Sequence, residues 1–191
     1  MSFDETFAEH AAVAARASRE LPPHLERITV AALECLSGGR KILACGNGGS
    51  AAQAQHLAAE LVGRFQGERR ALAAVALCAD TATLTSLAND YGYPHVFARQ
   101  VEALAQPGDL LIAISTSGNS PNVLQAAAAA RARQCTVVAF TGAAGGKLGA
   151  EADLLLRAPA ESVARIQEVH ALCIHALVDE LERRLRRQGL A

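Results

Sequence analysis

The stretch LACGNGGSAAQAQHLAAEL, residues 43–61, joins an aliphatic run to an amphipathic helix through a glycine-rich turn. Glycines allow positive φ and close backbone approach to a ligand, and the first N–H groups of the following helix face the same point. The turn is therefore suited to an anion such as a phosphate. We expect the helix to begin at Ser50, whose hydroxyl caps it or contacts the ligand.

Five short aliphatic runs predict five β-strands, because they lack apolar/polar alternation and so resemble parallel strands buried on both faces. They lie at Lys41–Cys45, Ala73–Cys78, Asp109–Ser115, Thr136–Phe140 and Asp153–Ala158. Predicted helices alternate with them, at Ser50–Arg64, Thr81–Asn89, Pro94–Leu104 and Ser120–Arg133. This order predicts an α/β fold: a three-layer sandwich around a five-stranded parallel sheet, doubly wound and flavodoxin-like, with right-handed crossovers.

Three further helices exceed what a five-stranded sheet needs for cover. Two precede the first strand, at Phe3–Glu20 and Pro23–Leu36, and a long one closes the chain at Ala164–Arg186. We expect some of them to bury apolar faces in a helical oligomer interface. Because no linker or repeat is visible, we predict one domain over residues 1–191, with residues 1–37 as an N-terminal helical extension in that interface.

Composition restricts the class of protein. The 191 residues carry a net charge of −1 and are 51% hydrophobic, which argues against a general nucleic-acid or polyanion binder. The acidic N-terminus and the lack of a long apolar segment predict a soluble, cytoplasmic protein with no membrane partner. An odd number of cysteines in apolar segments predicts buried, reduced thiols. These cysteines are Cys35, Cys45, Cys78, Cys135 and Cys173.

A second candidate loop, ISTSGNSPNVL at residues 114–124, follows the third predicted strand. Ligands of open α/β sheets sit beyond the carboxyl ends of the strands, near a switch in strand order. Ser120 before Pro121 is typical of a helix N-cap, and either loop alone could be an ordinary capped turn. However, four hydroxyls in six residues exceed what capping requires, and they suit a phosphate. The four are Ser115, Thr116, Ser117 and Ser120.

A dinucleotide site is a rival use of the first loop, since Gly46, Gly48 and Ala51 satisfy G-x-G-x-x-G/A. The expected ribose-binding acid should follow about 20 residues on. The candidate, Asp80, lies 34 positions after Gly46. The serine-rich loop also has no role in a dinucleotide site, so this alternative is disfavoured.

Polar residues on two helices form a candidate metal or catalytic group. His56 and Glu60 are spaced i, i+4 and share a helix face, although such a pair is often only a solvated contact. The last helix carries RIQEVHALCIH, in which Gln167 and His175 are eight residues apart. His170 is explained equally well by packing. Two histidines, a glutamate and a glutamine make a plausible zinc ligand set, with glutamine the uncommon member.

Four separated motifs together resemble the bacterial phosphoheptose isomerases of the sugar-isomerase (SIS) domain superfamily. They are CGNGGSAAQAQHLAAEL, LANDYGY, GDLLIAISTSGNSPNV and RIQEVHALCIH, and the resemblance runs from about Glu20 to Leu185. It implies a homotetramer with active sites between subunits. It also implies isomerisation of sedoheptulose 7-phosphate to D-glycero-D-manno-heptose 7-phosphate through an enediol, the first step of nucleotide-activated heptose biosynthesis for lipopolysaccharide or another surface glycan.

The resemblance assigns roles residue by residue. Arg64 is a further candidate contact. As a hypothesis from the chemistry of an enediol, Glu60 is the base that moves the proton between C1 and C2, and His175 is the acid for ring opening or oxygen protonation. One Zn²⁺ per subunit would be held by His56, Glu60, Gln167 and His175. Substrate contacts would be Asn47, Gly48, Gly49, Ser50, Glu60, Asn89, Asp90, Ser115, Thr116, Ser117, Ser120 and Gln167. The chain departs from many family members at Gln53, where aspartate is common, and at Ala164, where some carry an acid.

The alternative is a non-catalytic regulatory protein of the same fold that binds the replication initiator. The chain retains the polar residues of both helices and an intact STSGNS loop. This set favours the enzyme.

Overall fold

A five-stranded parallel sheet with helices on both faces forms the centre of the molecule, as described for residues 2–189 by a computed structural model. The strands are β1 (Ile42–Gly46), β2 (Ala74–Ala76), β3 (Leu110–Ser115), β4 (Thr136–Thr141) and β5 (Leu154–Arg157). The helices are α1 (Phe3–Glu20), α2 (Pro22–Ser37), α3 (Gly49–Val62), α4 (Thr81–Tyr91), α5 (Ala98–Leu104), α6 (Pro121–Ala132), α7 (Gly146–Glu151) and α8 (Val163–Arg187), with a 3-10 turn at Tyr93–His95.

The strand order is β2-β1-β3-β4-β5, so the order of strands reverses between β1 and β3. The register pairs Ile42 with Leu110 and Gly46 with Ile114. The chain therefore leaves β1 and β3 at neighbouring points on the carboxyl edge of the sheet, where α/β proteins bind ligands. The predicted fold class is confirmed.

Alternate residues of the central strands enter two separate cores. Ile42, Ala44 and Ile112 pack with apolar side chains of α1, α2, α3 and α8. Leu43 and Leu111 pack on the other side with α5, α6 and α7. This alternation explains the continuous apolar runs, because each strand supplies apolar side chains to both helical layers.

Local sequence signals account for several helix boundaries. Helix α1 begins with a reciprocal capping box, in which Glu5 N–H donates to the Ser2 hydroxyl and Ser2 N–H donates to the Glu5 carboxylate. Helix α8 begins after Ser162, whose hydroxyl accepts from the N–H of Arg165. None of the helices within residues 2–189 combines the length and apolar character that a membrane crossing requires.

Two predictions about local structure are wrong, and one helix was not predicted. Strands β2 and β5 lie at the two edges of the sheet, where Val75 is 39% exposed and Arg157 is exposed, so neither strand is buried on both faces. The helix predicted at Pro94–Leu104 is divided into the 3-10 turn and α5. Helix α7 was not predicted, because Gly146 and Gly149 weaken its helical signal.

The cysteine prediction is confirmed for burial in the described residues. All five thiols are free, and all are buried except that of Cys78, which is half-buried. Burial raises the pKa of both the Cys35 and Cys173 thiols to about 12. These thiols are therefore protonated, unreactive core groups.

Candidate active site

The first loop connects β1 to α3 through Gly48, whose φ of +54° lies in the left-handed region that favours glycine. Gly48 is the N-cap residue, and no side chain caps this helix. The expected start at Ser50 is wrong, because Ser50 lies inside the first turn, where it is only 3% exposed. The N–H of Ser50 donates to the Asn47 carbonyl at 3.0 Å, whereas no side chain of the described residues caps this helix, so its remaining first-turn N–H groups suit an anion.

Asn47 links the first loop to the second through its side-chain amide. Its Nδ2 donates to Oδ1 of Asn122 at 2.9 Å, and Nδ2 of Asn122 donates back to its Oδ1 at 2.8 Å. The Tyr93 hydroxyl donates to the same Asn47 oxygen at 2.9 Å. Asn122 is buried in the first turn of α6. Neutral hydrogen bonds therefore hold the two loops together.

The second loop brings three of the predicted hydroxyls into contact. Ser115, the buried last residue of β3, has its Oγ 3.0 Å from Oγ of Ser120 and 3.5 Å from Oγ of Ser117. Thr116 is half-buried beside them. Ser120 is the N-cap residue of α6, as predicted, but its hydroxyl makes no capping hydrogen bond. Its hydroxyl instead belongs to the serine cluster, which a phosphate can accept from directly.

The helix-face residues His56, Glu60 and His175 converge beyond the loops. The Nε2 atoms of His56 and His175 are 2.8 Å apart, and Oε1 of Glu60 is 3.7 Å from Nε2 of His56. Phe65 stacks on the His175 ring with centroids 5.5 Å apart. Two imidazole nitrogens at this distance share one proton, since two N–H groups cannot face each other.

A buried ion pair holds the segment that carries Phe65. The Glu182 carboxylate accepts from the backbone N–H groups of Phe65, Gln66 and Gly67 and from Nε of Arg69 at 2.9 Å. Burial opposes the ionisation of Glu182, but these donors outweigh it and hold the pKa of Glu182 below its usual value. The Arg69 guanidinium also donates to the carbonyl of Glu60. The pair therefore fixes both Glu60 and the ring that covers His175.

Gln167, the fourth predicted zinc ligand, contacts the first loop. A methyl group added at Gly49 would collide with its side-chain amide, so the Gln167 side chain lies against the first loop. The Gln167 carbonyl accepts from Nε2 of Gln53, while the buried Oε1 of Gln53 has no hydrogen-bond partner among the described residues. Helix α8 thus contacts the first loop through Gln167 and the imidazole of His56 through His175.

Asn89 and Asp90 lie near the end of α4, where both are exposed. Nδ2 of Asn89 donates to Oδ1 of Asp90 at 2.9 Å. Apart from this bond, neither side chain hydrogen-bonds or forms an ion pair with a candidate residue in the described part of the chain. Arg64 is also exposed and pairs with Glu68 at 3.2 Å.

Comparison with known proteins agrees with this geometry. Residues 6–142 match the SIS domain family. The phosphoheptose isomerase of Thiobacillus denitrificans is 57% identical over 169 residues, which cover 87% of this chain and 86% of that protein. The chain belongs to the phosphoheptose isomerase family of SIS domain proteins.

Solved structures of family members have the same fold. The phosphoheptose isomerase of Neisseria gonorrhoeae superposes with a TM-score of 0.90 at 48% identity, covering 94% of this chain and 96% of that one. The phosphoheptose isomerase of Francisella tularensis gives a TM-score of 0.92 at 38% identity, with the same coverage. The similarity therefore extends over both loops and both site-bearing helices.

The resemblance of the chain to this family implies a zinc ion, whose ligands would have to come from the polar side chains of α3 and α8. Within residues 2–189, no three histidine, cysteine, aspartate or glutamate side chains already surround one point as metal ligands. The donor types nevertheless fit, because two imidazoles and a carboxylate are a known zinc set. The Nε2 atoms of His56 and His175 face each other at 2.8 Å, so both imidazoles could bind the same ion.

Several residues at this site were not predicted from the sequence. They are Tyr93, Asn122, Phe65, Arg69 and Glu182. One feature of the sequence indicated a role for two of them: Tyr93 and Asn122 lie inside the quoted family motifs LANDYGY and GDLLIAISTSGNSPNV. The pairing of Arg69 with Glu182 spans more than a hundred positions, and no local pattern indicates it.

Proposed function

We propose that this chain catalyses the isomerisation of sedoheptulose 7-phosphate to D-glycero-D-manno-heptose 7-phosphate, as its relatives' name indicates. The observation that carries the proposal is the placement of the two hydroxyl- and N–H-rich loops next to the His56, Glu60 and His175 cluster. Gly49 and His56 lie seven positions apart on α3, a rise of about 10 Å. This separation suits a seven-carbon sugar whose middle lies at the first loop and whose C1 and C2 lie at the His56, Glu60 and His175 cluster.

The serine loop binds the phosphate through the hydroxyls of Ser115, Thr116, Ser117 and Ser120 and the N-terminal N–H groups of α6. The first loop, with Asn47, Gly48, Gly49 and Ser50, binds oxygens nearer the middle of the sugar, together with Gln167. Asn89 and Asp90 complete the substrate contacts of the proposal. None of these proposed substrate-binding residues is a lysine or an arginine, which agrees with the near-zero net charge of the chain.

Glu60 acts as the base. It takes the proton from C1, the C1–H electron pair forms the C1=C2 bond, and the C2 carbonyl oxygen gains a proton from His175. The resulting enediol receives the proton from Glu60 at C2 and gives the proton of its C1 hydroxyl to His175, so that C1 becomes the aldehyde. The side chains thus end in their starting protonation states.

A zinc ion would be held by His56, Glu60, Gln167 and His175. When bound, zinc supplies a Lewis acid that polarises sugar oxygens. A carboxylate on a metal is a weaker base, so the two roles of Glu60 compete. Removal of the metal with a chelator distinguishes a catalytic from a structural ion. If turnover is lost with the metal and returns when zinc is added, zinc takes part in the reaction.

A homotetramer with active sites between subunits is part of the proposal. It is supported by apolar side chains on the outer surfaces of α1 and α8, where Phe3 is 87%, Phe7 72% and Leu172 51% exposed. Such side chains on a helix pair suit burial against another copy. A cytoplasmic location and a place in heptose synthesis for a surface glycan complete the proposal.

A turnover assay tests the proposed function. The purified protein is given sedoheptulose 7-phosphate, with and without chelator and added zinc, and the aldose product is followed by NMR. Turnover supports the isomerase. Absence of turnover by folded, zinc-supplied protein would contradict it. The alternative of a regulator that binds the replication initiator is not favoured, since the relatives above are named phosphoheptose isomerases.

A further inference from the structure

The Asn47 side chain is held by three hydrogen bonds that use most of its capacity. Its Oδ1 accepts from Nδ2 of Asn122 at 2.8 Å and from the hydroxyl of Tyr93 at 2.9 Å. An amide oxygen has two lone pairs, so this acceptor is saturated. The Asn47 Nδ2 donates once, to Oδ1 of Asn122 at 2.9 Å. One of its two N–H groups has no partner among the described residues.

From this count we infer that Tyr93 and Asn122 are positioning residues, which lock the Asn47 amide so that it offers the sugar one N–H donor and no acceptor. The inference rests on the proposed function, because it assigns the direction of a hydrogen bond at that substrate site. A fixed donor is useful there, since it holds a sugar oxygen in one orientation and so keeps C1 and C2 in position for proton transfer by Glu60.

The surroundings of the three residues support a locking role. Asn122 is 2% exposed, and both polar atoms of its side chain bond to Asn47, so it is fixed by the first turn of α6. Tyr93 is 57% exposed and follows Gly92, which places its hydroxyl at the loop from outside the core. Removal of the Tyr93 hydroxyl should therefore change the site without disturbing the core.

The test compares Tyr93→Phe with the matched control Tyr91→Phe, whose ring lies over Arg99 and outside the site. Tyr93→Phe should lower kcat/KM for sedoheptulose 7-phosphate about threefold to tenfold, the effect of one neutral hydrogen bond. The melting temperature and the inhibition constant of inorganic phosphate should stay unchanged, because the fold and the serine loop are untouched. Equal kcat/KM in the two variants would overturn the inference.

Asn122→Asp provides the second variant. Its carboxylate still accepts from Asn47 but cannot donate back, so a carboxylate oxygen replaces the donor that lay 2.8 Å from the Asn47 oxygen, and the repulsion between the two oxygens displaces the amide. We expect kcat/KM to fall about tenfold to a hundredfold, more than for Tyr93→Phe. A fall in melting temperature with unchanged kcat/KM would show a purely structural role and overturn the inference.

Wild-type protein measured in parallel separates this inference from the proposed function. If the wild type does not turn over sedoheptulose 7-phosphate, the isomerase proposal fails, and the lock is tested by NMR of the side-chain amides. The Asn47 amide resonances should shift in Tyr93→Phe and not in Tyr91→Phe. Identical amide resonances in both variants would overturn the lock without reference to activity.

Discussion

The two halves of the candidate site are built from different chemistry. The half at the carboxyl ends of β1 and β3 consists of hydroxyls, amides and backbone N–H groups, held together by neutral hydrogen bonds such as those between Asn47 and Asn122. The half on α3 and α8 consists of titratable side chains and is supported by the buried Arg69–Glu182 ion pair.

This difference indicates a division of labour. Neutral donors bind a phosphate at every pH at which the fold persists, and their positions do not depend on a proton. Imidazole and carboxylate groups can accept and donate protons, which acid–base chemistry requires. Damage to the first half should therefore weaken binding, whereas damage to the second half should stop chemistry or unfold its support.

The largest effect on stability is expected from the support of the second half. Glu182→Ala leaves the fully buried Arg69 guanidinium and three backbone N–H groups without their acceptor. The free energy of unfolding should fall by about 3 to 5 kcal/mol. Urea denaturation at fixed protein concentration measures it. The control Glu180→Ala removes a more exposed carboxylate of α8 and should cost about 1 kcal/mol or less. Equal losses would show that the Arg69–Glu182 pair contributes no special support.

The first half is tested by removing hydroxyls from the serine loop. The double variant Ser117→Ala, Ser120→Ala should raise KM for the sugar phosphate about 100-fold, since each lost hydrogen bond to a charged group costs at least about 1.5 kcal/mol. Its kcat should change little, because the proton-transfer groups stay in place. Steady-state kinetics measure both, with Ser18→Ala on exposed α1 as control. An unchanged KM would remove the phosphate-binding role of this loop.

A smaller, pH-dependent effect is expected from His170, the histidine of α8 that faces the core. Its Nε2 lies 3.0 Å from the Thr141 carbonyl, and burial lowers its pKa to about 4. The unfolded chain binds a proton at this histidine below pH about 6.5 and the folded chain does not, so stability is lost as pH falls from 6.5 toward 4.

Between pH 7 and pH 5, the wild type should lose roughly 2 kcal/mol more stability than His170→Gln. Denaturation curves at the two pH values measure the difference, and the exposed His24→Gln should behave as wild type. Parallel losses in wild type and His170→Gln would show that His170 titrates normally in the folded protein.

Most of the sheet and helices could be predicted from sequence because their signals are local. Helix α1 has the predicted bounds Phe3–Glu20, set by an acidic first turn and the proline that follows. The two site loops were also predicted, since each joins an apolar strand to a helix start. Exposure of β2 could not be predicted, because strand order is a tertiary property and the edge strand has an ordinary apolar sequence.

The residues that hold the site residues in place could not be predicted from local sequence patterns. Nothing near Asn47 indicates that Asn122 and Tyr93 will bind its amide, and nothing near Arg69 indicates Glu182. The expected helix start at Ser50 failed for a local reason, since Gly48 reaches a positive φ and takes the N-cap position first. Residue types with suitable chemistry could thus be chosen from sequence, but the groups that orient them required the fold.

Glu60→Gln tests the division of labour most directly. Glutamine keeps the size of the side chain and removes the base, so kcat should fall by about 100-fold or more. Inorganic phosphate should bind as it does to the wild type in calorimetry, because the serine loop is unchanged. A Glu60→Gln protein that still isomerises sedoheptulose 7-phosphate at the wild-type rate would contradict the account.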